Sequence, residues 1–404
     1  MADMDDPDRS ARSAPPDPPA QPDPPAQPDR PAQADWPEDL LPPPFAAGER
    51  PGLLDVLAPL AAASEEGRDV VLLLDGVGAD LLAEHRALTP TLRRLEGSIG
   101  RIRTVSPSTT ASAMVSLHTG CAPLEHGVLG YHGFDPDGRR AVNQLTGAPG
   151  VDPHAWMPLA TPVEAGTRRA VQVAPAKHAG SHLSGVAYRG WEFLGHGRGD
   201  RVEAVRTALH RGGPDALVHL HVDDVDHAGH VHGIDSEQWR TALAEVDALV
   251  GTLLRRLPRG TRVHLTADHG MIDTSAAHTV DLADEPEILR LVEEATGEAR
   301  ALALHAVPGE GAVEELAERM RDLMGEHALV LTREQVLAAG LFAPAGTPIP
   351  AHVRGRLADV LVLARGRWGV DDFSRRPETA RSMIGVHGSL TSAEAVVPLL
   401  RATT

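Results

Sequence analysis

The sequence predicts an α/β protein built on a mixed, mainly parallel sheet held between layers of helices, and three observations carry that expectation. The run from Val70 to Leu74 is continuously apolar, which suits a strand covered on both faces, as in a parallel sheet. Leu217, Val218, Leu220 and Val222, and the short run that opens RVHLTADHGMID (262–273), are further strand patterns, and each, like the first, runs into acidic or imidazole side chains where the chain must turn. Segments of helical period separate the strands, clearest in Trp239, Leu243, Val246, Val250, Leu253 and Leu257. Open α/β sheets place their chemistry at the carboxyl ends of parallel strands, so Asp75 is a candidate ligand or base from its position.

Composition narrows the function. A net charge of −18 argues against a polyanionic partner, so nucleic acid is not expected as a bulk partner. Lys177 is the sole lysine, which excludes a lysine-bearing phosphate loop and leaves one candidate for Schiff-base chemistry. Cys121 is the sole cysteine, so no intrachain disulfide forms and a reducing compartment fits best. The first residues lack the basic-then-apolar pattern of a signal peptide, and no apolar run reaches the roughly 18 residues of a membrane helix. The expectation is a cytoplasmic protein without a membrane partner.

Residues 1–45 hold 14 of the 34 prolines and ten acidic residues against three arginines, with a repeated unit DPPAQP, DPPAQP, DRPAQA across 17–34. Such a stretch buries too little to offset its ordering entropy, so it reads as a disordered tail, a solvated spacer or a polyproline segment able to dock a partner. Residues 46–404 read as one catalytic domain, with 290–375 its least diagnostic segment. After the first strand, DGVGAD lacks the third glycine of a dinucleotide fingerprint because Leu81 stands there. A hydroxyl cluster, Ser108, Thr109, Thr110 and Ser112, then precedes a helix expected from about Ala111 to Thr119. One of these is a helix cap or a nucleophile.

Residues 132–200 are rich in glycine, proline and histidine and read as loops and short elements shaping a pocket. In DDVDHAGHVHG, Asp226 and His230 stand four apart with Gly229 between, a spacing that aims both at one cation; His with carboxylate suits zinc or another borderline metal. Asp235 with Gln238 resembles a capping box for the following helix. RVHLTADHGMID repeats the design, with Asp268 and His269 at a strand end and Gly270 letting the backbone turn. From Ala301 to Gly366, strand and helix patterns alternate, with Phe342 to Arg356 expected as a surface loop. His387 lies in a glycine-rich turn, and Thr391 with Glu394 would cap a closing helix.

Taken in order, LLLDGVG (72–78), SPSTTAS (106–112), HTGCAPLEHGV (118–128), DHAGHVHG (226–233), TADHGM (266–271) and VHGS (386–389) closely resemble the alkaline phosphatase superfamily, particularly the nucleotide pyrophosphatase/phosphodiesterase family. The resemblance implies an alkaline-phosphatase-like three-layer sandwich and a metal-dependent phosphoric ester hydrolase acting on a small phosphate ester or nucleotide. It implies two divalent ions, zinc or else manganese, about 4 Å apart. One would be held by Asp226, His230 and His387, the other by Asp75, Asp268, His269 and Thr110. Thr110 matches the nucleophile that becomes phosphothreonine, with Thr109 one residue away. In the diesterases an Asn three residues beyond the nucleophile is expected to bind phosphoryl oxygen, whereas Ala113 stands here. Tyr131 is a candidate for stacking on a nucleobase, or a core aromatic. Sulfatases need a cysteine motif that CAPLE at 121–125 does not offer. Phosphomonoesterase, phosphonate hydrolase and phosphomutase chemistry are the alternatives, as is a non-catalytic scaffold that docks partners through the tail.

Overall fold

The computed structural model describes residues 36–63, 67–95 and 100–404, so the repeat-bearing part of the expected tail, residues 1–35, lies outside the described residues. Asp69–Leu74 is the central strand of a seven-stranded sheet and is buried at every position. It pairs in parallel with Leu217–Val222 on one side and Arg262–Thr266 on the other. The parallel run continues outward through Ala170–Pro175 and Glu192–His196. Only Val396–Thr403 runs the other way, between Arg262–Thr266 and Gly100–Arg103.

Alternation along the central strand explains its unbroken apolar run. Val71 and Leu73 face one core with Met114, Val115 and Leu117 of the helix Thr110–Thr119. Val70, Leu72 and Leu74 face the opposite core with Trp239, Leu243, Val246 and Val250 of the helix Glu237–Arg256. A polar residue on either face would forfeit roughly 1.5–3 kcal/mol of side-chain burial. The mixed, mainly parallel sheet between helices is thus as the sequence reading expected. Among the described residues, no helix is long and apolar enough to cross a membrane.

Several expectations are corrected. Residues 36–45, assigned to the tail, pack on the domain: Leu40 and Phe45 are buried, and Leu41 N–H donates to Leu390 O at 2.8 Å. The strands of 290–375 do not extend the main sheet. Four of them form a second, six-stranded antiparallel sheet in the order Ala328–Thr332, Val360–Ala364, Ala301–Ala306, Val292–Glu298, His132–Asp135, Arg140–Asn143, while Gly369–Asp371 pairs in parallel with Thr279–Asp281. Residues 132–200 therefore hold a hairpin of that sheet and two strands of the main sheet as well as loops. The expected surface loop buries Phe342, Ala343 and Val353. The long helix is capped by Ser236, whose hydroxyl accepts from Trp239 N–H at 3.1 Å. Asp235 instead adopts φ 65° and pairs with His85 and Arg240. Thr391 and Glu394 do bond at 2.6 Å, but the turn Ser392–Ala395 gives way to a strand. The β-branched pair Val396 and Val397 followed by Pro398 disfavours continuing a helix.

Asp69 anchors the amino end of the central strand. Fully buried, it bonds Arg168 at 2.5 Å, Arg262 at 2.7 Å and His264 at 3.0 Å. Burial alone would raise its pKa, but the hydrogen bonds from Arg262, His264 and Arg168 hold the carboxyl well below the usual carboxylate range. The unfolded chain therefore takes up a proton at higher pH than the folded one. The cluster's contribution is complete above the ordinary value near 3.9 and is lost as pH falls below it. Asp69→Asn should strand the buried Arg168 guanidinium and destabilise the protein by about 3–5 kcal/mol at neutral pH. Urea unfolding of the two proteins at pH 7 and near pH 3 checks this, the difference shrinking in acid.

Candidate metal centre and active site

The three adjacent strands Arg262–Thr266, Asp69–Leu74 and Leu217–Val222 deliver the site from their carboxyl ends. Asp75 follows the central strand directly, and its N–H donates to Val222 O at 3.0 Å. Asp226 and His230 sit one turn apart on the helix Asp224–His232 that follows Leu217–Val222. Asp268 and His269 follow Arg262–Thr266. His387 arrives from the segment after the two-residue strand Gly385–Val386.

These six side chains gather into two groups. Asp226, His230 and His387 offer ligand atoms within 4.8 Å of one another, as do Asp75, Asp268 and His269. The rings of His269 and His387 stack at 3.5 Å between centroids, so the groups share a wall. All three histidines engage backbone carbonyls through Nδ1: His230 to Gly385 O at 2.7 Å, His269 to Gly270 O at 2.9 Å and His387 to Ser108 O at 3.0 Å. Their Nε2 atoms are thereby left for the interior.

The donor set fits divalent cations. Asp75 Oδ1, Asp226 Oδ1 and Asp268 Oδ2 are buried with no hydrogen-bond partner, an arrangement that is costly unless positive charge lies among them. Burial and then the neighbouring Asp268 and Asp226 carboxylates push the Asp75 carboxyl well above its usual range. Burial opposes charge on His230, yet Asp226 outweighs it and lifts His230 to about 9. Burial would raise Asp226, and His230 more than reverses this. Burial and His269 hold His387 well below the ordinary histidine value. Protons thus accumulate where the carboxylates crowd, the work that cations do in such a site. Oxygen and imidazole nitrogen together suit zinc-like ions.

The hydroxyl cluster resolves by position. Thr110 opens the ten-residue helix Thr110–Thr119, and its Oγ1 lies 3.1 Å from His269 Nε2. Thr109 is fully buried with its hydroxyl toward the Glu298 carboxyl, Ser108 donates to Ser389 O at 2.7 Å and Ser112 to Val128 O at 2.9 Å. Ala113, three residues beyond Thr110, is fully buried in the apolar core. Tyr131 is partly exposed, edge-on to His132 at 4.7 Å. His132 pairs with Gly297, which places Tyr131 at the register position beside Glu298.

Glycines decide how closely the strand ends approach. A Cβ on Gly270 would lie 1.9 Å from Ala393 O and 2.8 Å from Gly78 Cα, so Gly270 serves close contact rather than a turn. Gly76, at φ 72°, directs its N–H to Asp268 Oδ1 at 3.4 Å. Behind them the fully buried Arg300–Glu394 pair at 2.7 Å ties the second sheet to the segment after His387.

Two neighbours of the site escaped sequence reasoning. Glu298 lies over Gly388, where a Cβ would meet its Cγ at 2.9 Å; burial pushes its carboxyl up to about 8, with the adjacent Thr109 hydroxyl opposing. A lone glutamate in a hairpin carries no pattern that would have found it. His221 bonds Asp75 Oδ2 at 2.7 Å. Its alternation with His219 along one face of a strand was the available signal. At the same end of the sheet, Ala176, Leu194, His196, Asp200, Glu203 and Thr207 line a cavity of about 540 Å³.

A mainly parallel sheet whose central strands end in two Asp/His groups, with a threonine hydroxyl against one of them, defines a hydrolase of the alkaline phosphatase superfamily. Within that class the chain belongs to the Type I phosphodiesterase / nucleotide pyrophosphatase family, whose profile matches residues 70–390. This family is metal-dependent. No curated protein sequence matches the chain. Its fold is similar to that of human ectonucleotide pyrophosphatase/phosphodiesterase 5, with a TM-score of 0.63 at 17% identity over 83% of this chain and 87% of that one. The murine ectonucleotide pyrophosphatase/phosphodiesterase 5 gives 0.59 at 18% identity, over 83% and 87%. An inactive Thr-to-Ala variant of the murine protein, solved in complex with AMP, gives 0.59 at 17% identity, over 83% and 88%.

Gly270→Ala forces a methyl group into the Ala393 carbonyl. It should cost about 3 kcal/mol, the upper end for overpacking, because the obstacle is backbone. A lowered melting temperature in the metal-free protein checks this, since the clash does not depend on a bound ion.

Proposed function

We propose that the chain is a two-metal phosphoric diester hydrolase in which Thr110 is the nucleophile and phosphothreonine the intermediate. The observation that carries this reading is the Thr110 hydroxyl 3.1 Å from His269, at the seam between two carboxylate-histidine groups. The Thr-to-Ala substitution in the inactive murine relative supports it, as does the AMP in that complex. Asp226, His230 and His387 would hold one ion, and Asp75, Asp268, His269 and Thr110 the other, with zinc preferred by this donor set and manganese tolerated. Such ions supply Lewis acidity, favouring the alkoxide of Thr110 and neutralising charge on the leaving oxygen.

The residues of the chain do the rest. Thr110 gives its hydroxyl proton to water and Oγ1 bonds to phosphorus as the ester bond on the opposite side breaks, the leaving alkoxide taking up a proton from water to depart as the alcohol. Water then attacks the phosphothreonine in line, the phosphorus–Oγ1 bond breaks, and Thr110 regains its proton. The first N–H groups of the Thr110–Thr119 helix have no partner within the helix and can meet the phosphoryl oxygens, with the helix dipole adding attraction. We assign the partly exposed ring of Tyr131, in register beside Glu298, to stacking on a nucleobase.

Turnover of bis-nitrophenyl phosphate should exceed that of nitrophenyl phosphate, vanish after chelation and return with zinc or manganese. Metal analysis of the loaded protein should find two ions per chain. Thr110→Ala should lower kcat by on the order of 10⁴-fold or more, whereas Thr109→Ala should retain most activity. Undiminished turnover in Thr110→Ala would defeat the covalent mechanism. Faster monoester than diester cleavage would move the chain to the phosphomonoesterase alternative.

A further inference from the structure

Every candidate ligand needs something to aim it, and the aiming devices differ. The three histidines are fixed by backbone carbonyls. Asp268 Oδ1 receives N–H groups of Gly76 and His269 at 3.4 and 3.1 Å, and Asp226 leans on His230, itself a candidate ligand, at 3.2 Å. Asp75 is different. Its Oδ2 is bonded at 2.7 Å by His221, a side chain outside both groups, while its Oδ1 is buried without a hydrogen bond and lies 3.4 Å from His269 Nε2.

We propose that His221 is a positioning residue that sets how tightly the ion beside Thr110 is held, by donating from Nε2 to Asp75 Oδ2 and so turning Oδ1 toward that ion. With a cation held beside Oδ1, Asp75 is ionised and offers only lone pairs, so the hydrogen of this bond then belongs to His221. Both side chains are buried, at 9% and 5% exposure, so water does not replace the bond when it is lost. Position makes the contact rigid. His221 is the penultimate residue of Leu217–Val222 and lies in register with Leu73 of the central strand, and the backbone bond from Asp75 N–H to Val222 O closes the same corner. On its outer side His221 faces the His178 ring at 6.5 Å. A donor to the free oxygen of a ligating carboxylate typically changes metal affinity 10–100-fold.

This inference rests on the metal-centre reading above, and the test separates the two. Zinc binding to chelator-treated protein is measured by competition with a chromophoric chelator, alongside melting of the metal-free forms. His221→Leu should weaken one of the two binding events 10–100-fold and leave the other within a few-fold. His221→Gln places an amide donor near the former Nε2 and should recover most of the lost affinity. Equal weakening in both variants, tracking a lowered metal-free melting temperature, would mean a packing role and overturn the proposal. So would wild-type affinity in His221→Leu. A wild-type protein that takes up no ion, by contrast, overturns the metal-centre reading itself.

Discussion

Three carboxylates that each bury an unbonded oxygen within one small volume are the constraint on which the rest depends. Asp75, Asp226 and Asp268 each leave an oxygen without a hydrogen bond, and the crowding drives Asp75 toward its protonated form. A chain gains nothing in stability from such a cluster, because removing carboxylates from water costs several kcal/mol each without a counter-charge. The surrounding structure therefore has to hold the site open against its own repulsion. Parallel strands suit the task. Their backbone pairing is continuous and apolar beneath the site, so the unfavourable groups are confined to the strand ends.

The holding is done from behind. Gly78, Gly270 and Ala393 interlock at distances that admit no side chain, bringing the loops after two strands against the turn that follows His387. The Arg300–Glu394 pair fixes that turn, with Glu394 also receiving Ser389 N–H at 3.0 Å and the Thr391 hydroxyl at 2.6 Å. A buried pair of this kind is weak as a source of stability, yet with its bonds satisfied it specifies one arrangement. Asp69 does the same at the far end of the central strand, so that strand is pinned at both ends by polar groups and along its length by apolar ones.

Much of the centre was legible in the sequence because its chemistry is local. An acidic residue directly after an apolar run, and Asp with His one helical turn apart, state their geometry in a few positions, and the six side chains gather into two groups. The fold class followed from the same runs. Long-range pairing was not legible. The strands of 290–375 alternate with helices as a parallel layer would, yet they pair with 132–143 to make an antiparallel sheet. The closing segment looked helical from its capping pair, but Val396, Val397 and Pro398 made it a strand. His221 was hidden by company, since four more histidines crowd 219–232 and nothing local says which of them touches Asp75.

The second sheet reaches the centre at two nearby points, Glu298 over Gly388 and Arg300 against Glu394. Neither belongs to the six ligand-bearing side chains, and the sheet shares no strand with the one that carries them. The second sheet thus borders the centre without supplying any of its candidate ligands. A change in the hairpin between them would alter the surface above His387 without touching the six side chains grouped at the strand ends.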